Sequence, residues 1–377
     1  MRILALSNTL LDASLGSGYV ILRYAQGLRA RGHGVDLLGP DDYDPLRHWG
    51  RGRGSGYRQA LGMAAACLRR ATRGGYDVVE LWGGEAWLAA ELLARLPRRR
   101  VLLVAHSNGL EPHCAELLRA AERAGRLALP RRWYHLDLSS LAARSFRAVD
   151  ALVTVAEFDR AYALREGYAP PDRILAVDNP LADDYLGLAV DFARAPVIGC
   201  CGSWIARKGV ELITSSLPPL LRAHPEWRLT LVGVGEGFRA AACFPADVLP
   251  RITVVPFAER GTTLRALYQS FAVLLLPSVY ESFGLAAAEA MACGAALAAT
   301  RVGFAAALRD GEEAMLLPEA SPEALRKTLE TLLGDEALRQ SVARAGYRRV
   351  QALRWDGAVA SVEAAYLGWL GELRGES

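Results

Sequence analysis

Short apolar runs alternate with amphipathic stretches from one end of the chain to the other. Residues 3–7 (ILALS) predict a strand, and behind a turn of small residues Ile21, Tyr24, Ala25 and Leu28 recur at helical spacing. Gly32 and Gly34 predict the end of that helix, and VDLLG opens the next strand. Residues 77–82 (DVVELW), 101–106 (VLLVAH), 151–156 (ALVTVA) and 173–180 (RILAVDNP) continue as strands. Each is nearly continuous in apolar residues, as strands covered on both faces are. The rhythm restarts at 197–203 (VIGCCGS) and runs through 228–237, 252–257, 272–277 and 296–303. From Ser321 onward the pattern is helical. An alternation that begins twice predicts two doubly wound α/β domains with parallel sheets. We place the seam in residues 181–196, giving domains at 1–188 and 189–355, with a final helix at 356–377 packing back on the first.

Composition narrows the picture. Of 377 residues 52% are hydrophobic, enough for two packed cores. No apolar run approaches the roughly 20 residues of a membrane span, and the first residues read as a strand and turn rather than a signal peptide. The expected compartment is the cytoplasm. The six cysteines form no Cys-x-x-Cys pair and the six histidines no His-x-x-x-His pattern, so reduced thiols and no metal site are expected. The net charge of +3 is unevenly spread. Between Asp44 and Asp77 stand Arg47, Arg51, Arg53, Arg58, Arg69, Arg70 and Arg73 with no acid. Such a run is a solvated basic face or a surface for an anionic acceptor or membrane. Of aromatic residues only Trp49 and Tyr57 stand among these arginines, and no stacking series interleaves with them, which argues against nucleic acid.

The most informative stretch is VYESFGLAAAEAMACG, residues 279–294. It follows a predicted strand and opens a helix near Gly284 or Leu285. The first amides of a helix lack intrahelical partners and favour an anion. Glu281 sits in the loop before them. Glu289 lies inside an alanine-rich helix, where an unpaired carboxylate is costly, so it must have a partner. Gly16, Ser17 and Gly18 open the first helix, where they either touch a diphosphate or only turn the chain. Asp42-x-Asp44 reads as a solvated acidic turn. Trp49, Trp82 and Trp87 are core residues or stacking platforms for a sugar.

The segment PSVYESFGLAAAEAMACGAALAAT, with seven residues between Glu281 and Glu289, resembles the signature of retaining GT4-type glycosyltransferases of the GT-B fold. GCCGSWIARKGVELI, LTLVGVGEG and VGFAAALRDGEEAMLLP resemble the family's neighbouring segments, and RARGHGVDLL fits more loosely. The resemblance implies two facing Rossmann-like domains with a cleft between them. It implies that Glu281 holds hydroxyls of a donor sugar and that Glu289 clasps the ribose of a nucleotide. Lys208 and Arg207 would neutralise the diphosphate. Ser203, Gly235, Phe257, Ser282, Phe283, Gly284 and Leu285 would complete the donor site with Gly16, Ser17 and Gly18. Ser203 stands where the family usually has an arginine. In VLLVAHSNGLEP, His106 is the residue expected to contact the sugar, with Asn108 the other register.

These roles imply transfer of a sugar, with retention, from a nucleotide diphosphate sugar, UDP-linked by expectation, to an acceptor hydroxyl. The departing phosphate would take the acceptor's proton in a front-face substitution. Neither metal nor cofactor is expected; the nucleotide sugar is a substrate. The acceptor is a small molecule, a glycan or a lipid-linked group, with residues 47–73 offering a peripheral membrane contact. Two other readings exist. A glycoside hydrolase would need Glu281 and Glu289 to flank one bond. A non-catalytic nucleotide-sugar-binding subunit would explain Ser203.

Overall fold

The computed structural model describes residues 1–46, 54–71, 74–96, 100–129 and 134–375. The chain divides into two compact units, residues 1–116, 131–180 and 355–377 in one and 117–130 and 181–354 in the other. Arg47, Arg51, Arg53, Arg73 and Trp49 lie outside the described residues.

The first unit is built on a parallel sheet of β1 (Arg2–Ser7), β2 (Gly34–Leu38), β3 (Val78–Trp82), β4 (Leu102–Ser107), β5 (Ala151–Thr154) and β6 (Ile174–Ala176). Their spatial order is β2-β1-β3-β4-β5-β6. The strands pair in register, with Ile3 opposite Val78 and Val78 opposite Leu102. β3 and β4 are buried along their whole length, which accounts for their nearly continuous apolar sequences. The helix Gly16–Ala30 buries Ile21, Tyr24, Ala25 and Leu28, the positions its periodicity marks. The last helix, Trp355–Arg374, belongs to this unit: Tyr366 donates to Glu80 at 2.6 Å. β6 is shorter than its apolar run predicts. The chain leaves the sheet before Pro180, which has no amide to give a ladder.

The second unit contains β7 (Val197–Cys201), β8 (Arg228–Val232), β9 (Ile252–Val255), β10 (Val273–Leu276), β11 (Ala296–Ala299) and β12 (Met315–Leu316). The order is β12-β11-β10-β7-β8-β9, again parallel. β12 has two residues, too few to show a period in the sequence. In each sheet one pair of neighbours, β1/β3 or β7/β10, has connections running off in opposite directions. Beyond the carboxyl ends of such a pair open sheets bind their ligands.

Asp42-x-Asp44 is not a solvated turn. Pro40–Tyr43 is a short helix, and the Asp42 carboxylate accepts from the Gly39 amide at 2.8 Å. Asp44 is buried and receives Arg58 Nε at 2.8 and 3.0 Å. Arg58, one of the clustered arginines, is therefore committed to an internal ion pair. Among the described residues the six cysteines are free, three of them buried, and no helix is long and apolar enough to cross a membrane.

Candidate functional site

The loops leaving β7 and β10 are fastened to each other at the switch point of the second sheet. The Val279 amide donates to the Arg207 carbonyl at 2.8 Å. Gly209 lies at φ 71°, and a Cβ there would stand 2.0 Å from the Pro277 carbonyl oxygen. We predict that Gly209→Ala destabilises the second unit by about 2–4 kcal/mol, combining left-handed strain with a backbone clash. Thermal unfolding followed by circular dichroism would measure it; an unchanged midpoint would show that the two loops are not tightly coupled.

This fastening brings Lys208 and Glu281 together. Lys208 Nζ lies 2.7 Å from Glu281 Oε1, and Arg207 Nη1 lies 3.6 Å from Oε2. Arg207 also donates to the Tyr280 carbonyl at 2.9 Å. Ser278 donates its hydroxyl to Glu281 Oε1 at 2.6 Å, and Thr300 in turn donates to the Ser278 carbonyl at 2.5 Å. Glu281 is 5% exposed. Burial pushes its carboxyl up, but the Lys208 and Arg207 cations with the Lys208 and Ser278 hydrogen bonds outweigh it and hold it below the usual glutamate range. Glu281 is thus an ionised, fixed acceptor. Ser278→Ala removes one hydrogen bond to Glu281 and is expected to lower stability by about 1 kcal/mol; thermal unfolding would show it.

Next to this pair begins the helix Leu285–Ala292. Gly284, at φ 94°, is its N-cap, and the first i→i−4 bond runs from Ala288 to Gly284 at 3.4 Å. The amides of Leu285 and Ala286 precede that bond and are available to an anion. Phe283 contributes backbone only: its ring is buried against Phe304 and its carbonyl accepts the Phe304 amide at 2.8 Å. Ser282 is half-buried beside it.

Glu289, about one turn into the helix, has the protein partners its position demands. Arg260 Nη2 lies 2.6 Å from Oε1, and the Tyr268 hydroxyl lies 3.2 Å from Oε2. Burial dominates over Arg260 and Tyr268 here and pushes this carboxyl up. No pattern in the chain marks Arg260 or Ser278 as site residues, because loop and strand-end partners carry no period. Tyr268 was legible only as an apolar position of the helix Thr262–Ser270.

The remaining second-unit residues follow three neighbouring strands, Ser203 after β7, Gly235 after β8 and Phe257 after β9. Ser203 is exposed, and its carbonyl accepts the Ile205 amide at 3.0 Å. Gly235, at φ 90°, spends its amide on the Pro256 carbonyl, leaving open space where a Cβ would stand. Phe257 is 60% exposed.

The first unit departs from expectation at His106. The ring is fully buried, stacked on Trp82 at 3.8 Å, with Nδ1 2.8 Å from Glu80. It packs between aromatic rings because β3 and β4 bring Trp82 and His106 opposite each other in register. As placed, it offers no surface to a sugar, and Trp82 is a core residue. Trp87 is half-buried beneath the Arg144 guanidinium. Asn108, two residues on, is half-buried with a buried Nδ2 that has no partner. Gly16, Ser17 and Gly18 form the first turn of their helix, and Gly18 is packed against the Asp12 carbonyl so closely that a Cβ would lie 2.4 Å away. Gly18 is therefore required by packing.

Residues 16–198 match the family model described as Glycosyltransferase Family 4, and residues 195–335 match the one described as Glycosyl transferases group 1. The D-inositol 3-phosphate glycosyltransferase of Acidothermus cellulolyticus is 31% identical over 250 residues, 60% of this chain and 55% of that protein. Its namesake from Jonesia denitrificans is 30% identical over 210 residues, 51% and 49% of the two chains. The chain thus spans about half the length of the curated relatives it matches. Among solved structures, sucrose-phosphate synthase from Thermosynechococcus elongatus superimposes with a TM-score of 0.78 at 19% identity over 100% of both chains. Anabaena Alr3699/HepE in complex with UDP gives 0.69 at 14% identity, covering 98% of this chain and 100% of that one. WaaG, a glycosyltransferase involved in lipopolysaccharide biosynthesis, gives 0.69 at 17%, covering 97% and 99%. At these identities the structures speak for the fold.

Proposed function

Since this chain belongs to the GT4-type glycosyltransferases of the GT-B fold, we propose that it transfers a sugar from a nucleotide diphosphate sugar to an acceptor hydroxyl. One observation carries the reading. A helix N-terminus, a lysine and an arginine converge on a buried, ionised glutamate at the switch point of a parallel sheet. Cations and free amides suit a leaving diphosphate, whose charge grows as the bond to the sugar breaks. The glutamate suits hydroxyls of the sugar that stays. Lys208 turns from Glu281 toward the phosphate when donor binds, and the sugar's hydroxyls take its place on the carboxylate. The donor is UDP-linked, and the anomeric configuration is retained by front-face substitution. Two protein cations and the helix amides balance the diphosphate, so turnover needs neither metal nor cofactor. Ser203 in place of an arginine counts for little, because Arg207 and Lys208 both reach Glu281. The acceptor side contacts a membrane surface through the arginine-rich segment, near which Leu46, Tyr57 and Leu61 are exposed.

The test is slow hydrolysis of UDP-glucose and of other nucleotide sugars without acceptor, in EDTA. Wild type is expected to release nucleotide and a sugar of the donor's configuration, and Lys208→Ala to release neither. Equal rates in both would overturn the assignment; loss of the wild-type rate in EDTA would overturn metal independence alone.

A further inference from the structure

One stretch of chain holds both oxygens of the Glu289 carboxylate. Arg260 stands in the loop after β9 and reaches Oε1 at 2.6 Å. Tyr268, further along in the helix Thr262–Ser270, brings its hydroxyl to 3.2 Å from Oε2. The two arms differ in freedom. Arg260 is half-buried, whereas the Tyr268 ring is fully buried, edge-on to Phe271 with centroids 6.2 Å apart and tilted against Tyr185 at 6.5 Å. A phenol has one hydrogen, and here two acceptors compete for it, because Cys201 Sγ lies 3.3 Å from the same oxygen. The thiol settles the direction. Burial pushes Cys201 up to about 11, so near neutrality it keeps its proton and donates S–H to the Tyr268 oxygen. The phenol proton is thereby directed to Glu289.

We propose that Tyr268, aimed by Cys201, is a positioning residue for nucleotide binding, fixing the Glu289 carboxylate in the rotation that receives the ribose hydroxyls. This rests on the transferase reading above. The last torsion of a glutamate is broad and two-fold, so a carboxylate held by Arg260 alone is free to swing its second oxygen. Each carboxylate oxygen has two acceptor sites, and Arg260 and Tyr268 take one apiece. One site remains on each oxygen, which matches the two hydroxyls of a ribose. Tyr268 is held by its packed ring and stays in place when nucleotide binds. Its donated proton favours the charged carboxylate against burial, as Arg260 does. Of the other groups facing Glu289, Asp184 opposes ionisation, and Tyr185, Cys201 and Cys293, all pushed up by burial, are neutral across the acid range.

The experiment is calorimetric titration of the full chain from acid to neutral pH with the tightest of UDP, GDP and ADP, on wild type and Tyr268→Phe. The phenylalanine keeps the packed ring and removes only the hydroxyl. It is expected to weaken the nucleotide about tenfold near neutrality, the value of a buried hydrogen bond to a charged partner. Its affinity should begin to fall at a higher pH than that of wild type, because Glu289 has lost a donor that favours its charged form. The phosphates of the nucleotide titrate alike in both proteins, so the displacement belongs to the site. Cys201→Ala leaves the phenol but removes the group that aims it, and should weaken the nucleotide in the same direction by about threefold. Thermal unfolding of each variant separates loss of fold from loss of site, and Cys201→Ala decides if Tyr268→Phe does not fold. Unchanged affinity in the folded variants, or a loss in Tyr268→Phe that is equal at every pH, would overturn the positioning role. Failure of wild type to bind any of the three nucleotides refutes the transferase reading itself; binding that Tyr268→Phe leaves unaffected refutes only the role of Tyr268.

Discussion

Lys208→Ala is expected to lower kcat about 100- to 1000-fold while changing KM for the donor far less. Removing one preorganised group aimed at developing charge costs on that order, because the interaction is strongest in the transition state. The geometry supports this size. Lys208 is 19% exposed at its side chain and held 2.7 Å from Glu281, so the cation is already desolvated and placed before the donor arrives. Arg207 cannot substitute: it sits 3.6 Å from the same carboxylate and is tied to the Tyr280 carbonyl. The change has a second consequence. Without Lys208 the buried Glu281 keeps one distant cation, so its carboxyl rises toward neutrality and its grip on sugar hydroxyls weakens. Lys208→Arg keeps the charge but not its point-like placement and should recover part of kcat. Steady-state rates for the three forms would decide; an Ala variant within about threefold of wild type would remove Lys208 from the reaction.

The second large effect is on nucleotide binding. Glu289→Ala should weaken the tightest nucleotide about 100-fold, because hydrogen bonds from ribose hydroxyls to an ionised carboxylate contribute about 1.5–3 kcal/mol each. In the free protein Arg260 and Tyr268 occupy that carboxylate at 2.6 and 3.2 Å. A nucleotide that uses Glu289 must therefore displace or share them. The two glutamates also separate by pH. Glu281 is held below the ordinary value of 4.5 and Glu289 is raised above it. On acidification Glu289 protonates first, so nucleotide affinity falls while Glu281 remains ionised. The stability contributed by the Lys208–Glu281 pair is present above the unfolded value of 4.5 and is lost only as pH falls through the lower folded value. Nucleotide affinity and unfolding measured across the same acid range should therefore fail in that order.

The sheets were the most legible part of the molecule. Fully buried parallel strands such as β3, β4 and β10 announce themselves as nearly continuous apolar runs, and eleven of the strands above coincide with the strands expected from the sequence, β12 excepted. Glu289 was legible as a carboxylate inside an alanine-rich helix, which requires a partner, and Glu281 as the loop carboxylate before that helix, in the segment that resembles the family signature. The partners themselves were not. Arg260 and Ser278 lie on loops, where no periodicity says which way a side chain points. His106 misled for a related reason. A strand end allows either face, and here the register with Trp82 and the bond to Glu80 turn the ring inward. Asp44 reads as solvated beside a proline, yet Arg58, fourteen residues on, buries it in an ion pair.

We propose that the second unit holds a nucleotide through Glu289 with no metal. Calorimetric titration of the full chain with UDP, GDP and ADP in EDTA, repeated on Glu289→Ala with the tightest, tests it most directly. UDP is expected to bind best, and the variant to lose about two orders of magnitude in affinity. Binding of none of the three, or binding that Glu289→Ala leaves intact, would contradict it.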